Sequence, residues 1–326
     1  PAAGNIGGGG FMLIRLPSGE VTSIDYREKA PLKATPGMYL DAAGKIDRSL
    51  TAAGYLAPGV PGTVRGLALA HQKLGRLSWK AVVMPAVRLA EEGFAMPGGL
   101  AGGLNAQLEG AMGKFPSSVE AYGKPGGGKW AAGDRLVLKD LGRSLRAIAE
   151  NGPDAFYTGW IADLIERDMK ANGGIITKQD LAAYEPAVRT PVRGQFRDYE
   201  IISMPPPSSG GVALIEMLNI LERFELKQAG ALAPATLHLK IEAMRRAFLD
   251  RARFLGDPDF VPIRVARLIS KAHAQTLAAG IQGGKATRSA KRASARIFAS
   301  SWNFDFSVAR SASALMSSSI SYPRRI

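Results

Sequence analysis

The chain has 326 residues, 46% of them hydrophobic, which suits one large or two ordinary globular domains and excludes a wholly disordered chain. It contains no cysteine, excluding disulfides, thiolate metal sites and a cysteine nucleophile, and no apolar run of the roughly 18 to 20 residues that a membrane span needs. The net charge of +14 invites a nucleic-acid reading, but residues 264–326 hold eleven Lys/Arg and one acid whereas residues 1–263 hold 31 basic and 27 acidic residues, so the body of the chain is near balance and argues against one.

In chain order, residues 11–16 and 21–26 read as two strands joined by a turn at Pro17-Ser18-Gly19-Glu20. The first run is almost continuously apolar, which predicts a strand covered on both faces. Residues 64–74 read as a helix. Ser78 is the expected N-cap of a helix running to Glu92, with Pro85 expected to kink or restart it. Asp134 is expected to open a helix reaching about Glu150. Residues 153–172 read as helix, broken at Gly159. Thr177-Lys178-Gln179-Asp180 has the form of a capping box with Asp in place of Glu. A strand over 199–204 leads through a turn at 205–211 into a helix over 212–224. Leu237, Ile241, Met244 and Phe248 recur at helical spacing, so residues 236–251 form an amphipathic helix. Strands at both ends with helices between them give a mixed α/β class.

Composition divides the chain into 1–285 and 286–326. From Lys285 onward there are eleven Ser, eight Ala and no Gly, whereas all 38 glycines lie before it. Two readings fit: a disordered basic extension, or an out-of-frame translation. The first residue is Pro1 rather than Met, so residues are expected before it.

The glycines at 7–10 precede a strand, the reverse of a dinucleotide fingerprint, and read as close backbone packing. Gly123 to Lys129 has P-loop spacing, but Trp130 replaces the magnesium-binding hydroxyl, so a surface loop is expected. His71, His238 and His273 lie far apart, none with a second His at ligand spacing, which predicts no metal site and leaves them as surface or helix-packing residues. Ser208 and Ser209 lack the nucleophile-elbow pattern and are expected to cap the helix they precede. Arg27 follows a strand; its fork could receive a carboxylate, or it could pair with Glu28 or another acid.

Seven segments, in order, resemble the large subunit of gamma-glutamyltransferases: Gly4 through Leu13, Asp25 through Pro31, Pro58 through Val64, Asn151 through Tyr157, Thr177 through Tyr184, Met204 through Gly211 and Gly256 through Val261. The resemblance covers residues 1–285. It implies an N-terminal-nucleophile hydrolase with a four-layer αββα sandwich, of which this chain is the large-subunit part. It implies a precursor that cuts itself before a threonine, which then attacks the γ-glutamyl carbonyl of glutathione and passes the glutamyl group to water or an amino acid. It implies that Arg27 binds the α-carboxylate of the γ-glutamyl group, that no cofactor takes part, that a small subunit from the same precursor is the partner, and that the protein is periplasmic or secreted. The family's threonine lies in a Thr-Thr-His segment. This chain has none: its last threonines are Thr236, Thr276 and Thr287, and no catalytic residue is assigned. The competing readings are a different enzyme using Ser208, Ser209 or a remaining threonine, and a non-catalytic large-subunit remnant or basic binding protein.

Overall fold

A computed structural model describes residues 5–226 and 230–287. Helices and strands alternate irregularly along the chain. Strands β1 (Phe11–Arg15) and β2 (Val21–Asp25) come first. Helices α1 (Arg48–Ala52), α2 (Thr63–Leu74) and α3 (Trp79–Glu92) follow. Then come β3 (Phe94–Ala95), α4 (Gly98–Glu109), α5 (Pro116–Tyr122) and β4 (Arg135–Leu136). Next are α6 (Lys139–Asn151), α7 (Asp154–Tyr157), α8 (Trp160–Ala171) and α9 (Lys178–Ala182). The chain continues through β5 (Ala187–Arg189), β6 (Val192–Phe196) and β7 (Tyr199–Ser203). It closes with α10 (Gly210–Leu221), α11 (Pro234–Phe254), α12 (Val265–Leu268) and α13 (Lys271–Ala279). No helix among the described residues is long and apolar enough to cross a membrane.

Two compact units divide these elements, and the chain passes between them more than once. Among the described residues, the first holds those up to Gly10 and then Tyr26–Pro186; the second holds Phe11–Asp25 and residues 187–226 and 230–287. In the first unit, α2, α6, α7, α8 and α9 contribute to one core around Val64, Ile148, Phe156, Tyr157, Ile161 and Leu181. The long helices α3 and α6 pack together, and Ser78 caps α3 by accepting from the Ala81 N–H. Pro85 neither breaks nor restarts α3, which runs unbroken past it. The capping box forms in full: the Thr177 N–H and hydroxyl donate to Asp180 Oδ2 at 2.8 and 2.6 Å, and the Asp180 N–H donates back to Thr177 Oγ1. Asp180 Oδ1 also accepts from the Leu32 N–H at 2.6 Å, which ties the start of α9 to a distant loop.

Asp134 opens no helix. Its carboxylate closes a turn by accepting from the Ala131 N–H and from Lys124, and the next two residues pair with β3 as β4. The loop at Gly123–Lys129 is exposed, as expected of a surface loop, and is anchored by the buried Trp130 ring, whose Nε1 donates to Tyr122 O.

The second unit contains the antiparallel sheet β1-β2-β5, the hairpin β6-β7 and helices α10 to α13. The strand pair and its turn form as expected, with Gly19 at φ +91° closing the turn. The expectation that β1 is covered on both faces does not hold. It pairs only with β2 in this sheet, and Leu13 is 40% exposed. Helix α11 forms where the periodicity puts it, but its apolar stripe does not face the core. Leu237, Ile241, Met244 and Phe248 are 41–54% exposed. The buried face carries Ala243, which packs in one cluster with Ile220 of α10 and Ala274 of α13, together with Ala247, Glu242 and Asp250. Small side chains let the three helices approach, and the buried acids are accommodated by specific partners described below. Residues 288–326 lie outside the described residues, and with them nearly all of the expected tail.

Candidate functional site

Arg27 lies in an extended segment directly after β2. The backbone on both sides of it is tied down. Tyr26 and Gly10 exchange a pair of hydrogen bonds at 3.0 and 3.2 Å, and Lys29 and Val60 exchange another at 3.2 and 2.8 Å. Between them, the Tyr184 hydroxyl donates to the Arg27 carbonyl at 2.8 Å. Gly62 and Thr63 then donate their N–H groups to Gly8 O at 2.8 and 3.0 Å, so the two glycine-bearing segments bind each other as well.

The glycines at this place have a steric reason. A Cβ on Gly9 would sit 2.5 Å from Tyr26 O and 2.6 Å from Glu28 N; one on Gly62 would sit 2.1 Å from Tyr184 Oη and 2.2 Å from Tyr26 O. Both positions press backbone against the Arg27 segment, which only glycine permits. Three of the sequence segments read separately above thus form one clamp, with the Arg27 side chain half-buried upon it.

Behind the clamp stand two buried tyrosines. Tyr184 stacks on Tyr157 with ring centroids 6.1 Å apart. The Tyr157 hydroxyl donates to Pro61 O and accepts from the Arg65 N–H. Burial pushes the Tyr157 phenol up to about 12, so it serves as a structural donor and not as an acid near neutrality. Arg65 lies over the Tyr157 ring and donates to Asp154, Glu185, Ala182 O and Tyr184 O. Its guanidinium is occupied in joining the segments that contain Asp154 and Tyr184 to α2.

In the second unit, Arg189 of β5 joins two further segments. Its Nε donates to the buried Asp25 carboxylate at 2.7 Å, and its two terminal nitrogens form a fork on Asp259 at 2.9 and 2.7 Å. The hydrogen bonds that it donates to Asp259 and Asp25 hold the Arg189 guanidinium above its ordinary pKa, so it stays charged at every accessible pH. Asp25 directly precedes Tyr26, so this ion pair fixes the end of β2 from which the Arg27 segment departs.

The serines behave differently from the expectation. Ser209 stands at the N-cap position of α10 but makes no side-chain cap; its hydroxyl accepts from Arg251 Nε at 2.7 Å. His71 meets Leu77 O and the Trp79 ring, and His238 meets Gln282 O, both local packing roles. His273 is not a bystander. It meets Glu216 of α10 and Asp250 of α11, and one donor atom from each of the three lies within 4.8 Å of the others. His273 Nε2 is 2.6 Å from Asp250 Oδ2 and 4.0 Å from Glu216 Oε1. Burial first, and the Asp250 charge second, push the Glu216 carboxyl far above the usual carboxylate range. Spacing rules miss this group because its members come from three helices. The local signal is a lone charged residue, Glu216, in a helix otherwise apolar except for Asn219. Close by in sequence on α11, Glu242 is buried too, yet hydrogen bonds from Thr287 and Arg246 outweigh its burial and hold it down at about 2.

Comparison with known proteins places this arrangement. The family model described as gamma-glutamyltranspeptidase matches residues 1–311. The chain is 45% identical over 291 residues to the glutathione hydrolase proenzyme of Escherichia coli (strain K12), covering 89% of this chain and 50% of that protein. It superposes on the crystal structure of Helicobacter pylori gamma-glutamyltranspeptidase with a TM-score of 0.87 at 46% identity, over 89% of this chain and 83% of that one. It superposes on the gamma-glutamyltranspeptidase from Pseudomonas nitroreducens complexed with L-DON with a TM-score of 0.83 at 35% identity, over 89% and 85%. The chain spans about half the length of the curated relatives it matches. Its mixed helix and sheet architecture is that of an N-terminal-nucleophile hydrolase, as these neighbours are.

Proposed function

The chain belongs to the gamma-glutamyltranspeptidase family, and from that premise we propose that it is the glutamyl-binding half of a glutathione hydrolase. In this reading Arg27 receives the α-carboxylate of the γ-glutamyl group. A guanidinium offers two parallel N–H donors to a carboxylate, which fixes orientation as well as affinity. One observation carries the reading: the backbone is held at Tyr26 by Gly10, at Arg27 by Tyr184 and at Lys29 by Val60, while the Arg27 side chain is not buried in the core. A receptor for a small anion needs that combination, because an immobile stem loses less freedom on binding.

The nucleophile comes from elsewhere. No Thr-Thr-His occurs in these residues, so the proposal places the attacking threonine on a second polypeptide, the small subunit. A threonine at a chain terminus carries its own base, since the free amine takes the hydroxyl proton as the oxygen attacks the γ-carbonyl. The glutamyl group then rests on the threonine oxygen and glutathione's cysteinylglycine departs. Water completes hydrolysis; an amino acid completes transfer. Export to the periplasm or outside the cell belongs to the same proposal.

The test is complementation. The chain is co-expressed with a separate segment that begins at the threonine of the Escherichia coli relative, and release of a chromogenic amine from a γ-glutamyl anilide is followed. The two halves of that relative, co-expressed in the same way, are the positive control. Activity is expected only when both segments are present. If the control pair is active and this chain with the same segment is not, the non-catalytic reading of the chain replaces this one.

A further inference from the structure

We propose that Glu216, Asp250 and His273 form a binding site for one divalent transition-metal ion of the zinc type, which pins helices α10, α11 and α13 together. Among the described residues this is the one group of three such side chains whose ligand atoms converge.

Four observations carry the proposal. The first is the donor set. One imidazole nitrogen and two carboxylate oxygens suit zinc and its neighbours, whereas calcium and magnesium favour sites built of oxygen alone. Three protein ligands also leave a fourth position for water.

The second is a polar atom with nothing to bind. Glu216 is 1% exposed, yet its Oε1 has no hydrogen-bond partner, and it points to the same place as His273 Nε2. An unsatisfied buried acceptor costs about 1 to 3 kcal/mol, and more when charged. Two other buried acids show that this chain can satisfy such groups when no other ligand is involved. Glu242 accepts from Arg246 and Thr287, and Asp180 from Leu32 and Thr177.

The third is that no basic side chain competes for the site. Among the described residues no Lys or Arg makes an ion pair with Glu216 or Asp250; on α11, Arg246 pairs with Glu242 and Arg251 donates to Ser209.

The fourth is geometry. Ligand atoms at about 2.0 to 2.2 Å from zinc in a tetrahedral arrangement lie roughly 3.3 to 3.5 Å from one another. The His273–Asp250 contact of 2.6 Å would open and the His273–Glu216 separation of 4.0 Å would close to reach that spacing. The changes are about 0.5 to 0.9 Å, within side-chain rotation on fixed helices. His273, the most exposed of the three, gives the ion an entry path.

The experiment is zinc titration of the full chain after chelator treatment, followed by isothermal calorimetry and metal analysis. One zinc per chain is expected, with a thermal midpoint that rises on binding. Glu216→Gln and His273→Gln are each expected to weaken binding at least tenfold, on the order of what loss of a metal-supporting group costs. Cobalt in place of zinc should give the visible absorption of a four-coordinate site. Zinc X-ray absorption on the unaltered chain provides a readout that needs no variant, and should show one imidazole and oxygen neighbours at about 2.0 Å. The proposal is overturned if the unaltered chain retains no zinc at micromolar concentration, if both variants bind zinc as the unaltered chain does, or if the absorption edge shows two or more imidazoles.

Discussion

The segment from Tyr26 to Lys29 and the helix α11 hold their charged residues by opposite means. Around Arg27 the backbone does the fixing: hydrogen bonds from Gly10, Val60 and Tyr184 set its path, and the side chain stands at the edge of the core. On α11 the side chains do the fixing. Its apolar stripe is exposed, and Glu242 and Asp250 are buried with partners. The difference teaches where a substitution will be felt. A change of side chain on a fixed backbone is expected to be felt mainly in binding, whereas a buried acid that holds a helix carries stability.

The contrast can be broken from either side. Glu242→Ala is expected to have the largest effect on stability, about 3 to 5 kcal/mol, because it leaves Arg246 buried without its carboxylate. A shift of the urea midpoint would measure it, and a loss under about 1 kcal/mol would mean that the buried pair does not hold α11. The same residue sets a pH dependence. Its folded pKa of about 2 lies below the unfolded value of roughly 4.3, so its contribution is complete above the unfolded pKa and is lost as pH falls toward 2. The Glu242→Gln variant should flatten that acid limb of the urea midpoint. Next in size is Gly62→Ala, whose Cβ would meet Tyr184 Oη at 2.1 Å and Tyr26 O at 2.2 Å. Overpacking of this kind costs about 1 to 3 kcal/mol, and here it should also displace Arg27 and weaken glutamate binding. Asp180→Ala removes the capping box and the bond from Leu32, an expected loss of about 1 to 2 kcal/mol in the same assay. Smallest is Phe248→Ser on the exposed stripe, expected within about 0.5 kcal/mol for the chain alone.

Much of the local structure was legible in the sequence. The Ser78 cap, the capping box at Thr177 and the Gly19 turn each depend on a few adjacent residues, and each forms. Asp134 failed as a helix start because Ala131 and Lys124 use its carboxylate to close a turn. Ser209 failed as a cap because Arg251, 42 residues away, binds its hydroxyl. The orientation of α11 was not legible either. Periodicity finds an apolar stripe but not which face its neighbours cover, and Ala243 and Ala247 gave no hint that the small face would pack. Arg27 stood out only through the ordered set of segments; on chemistry alone it was one arginine beside an acid. The structure adds the reason those segments travel together, since the glycines of two of them press on the backbone of the third. The group at Glu216, Asp250 and His273 was invisible to spacing, because its members meet only when three helices pack.

The proposed α-carboxylate contact at Arg27 is tested most directly by one cross-comparison. The complemented enzyme and its Arg27→Ala variant are each assayed with a γ-glutamyl donor and with the same donor bearing an α-carboxamide. Truncating one partner of a charged hydrogen-bonded pair costs about 2 to 5 kcal/mol, so kcat/KM for the acid donor should fall by roughly 30-fold or more in the variant. For the amide donor the two enzymes should differ little, because the charge that Arg27 serves is gone. If Arg27→Ala depresses both donors equally, the residue is not the carboxylate receptor and the proposed binding role is wrong.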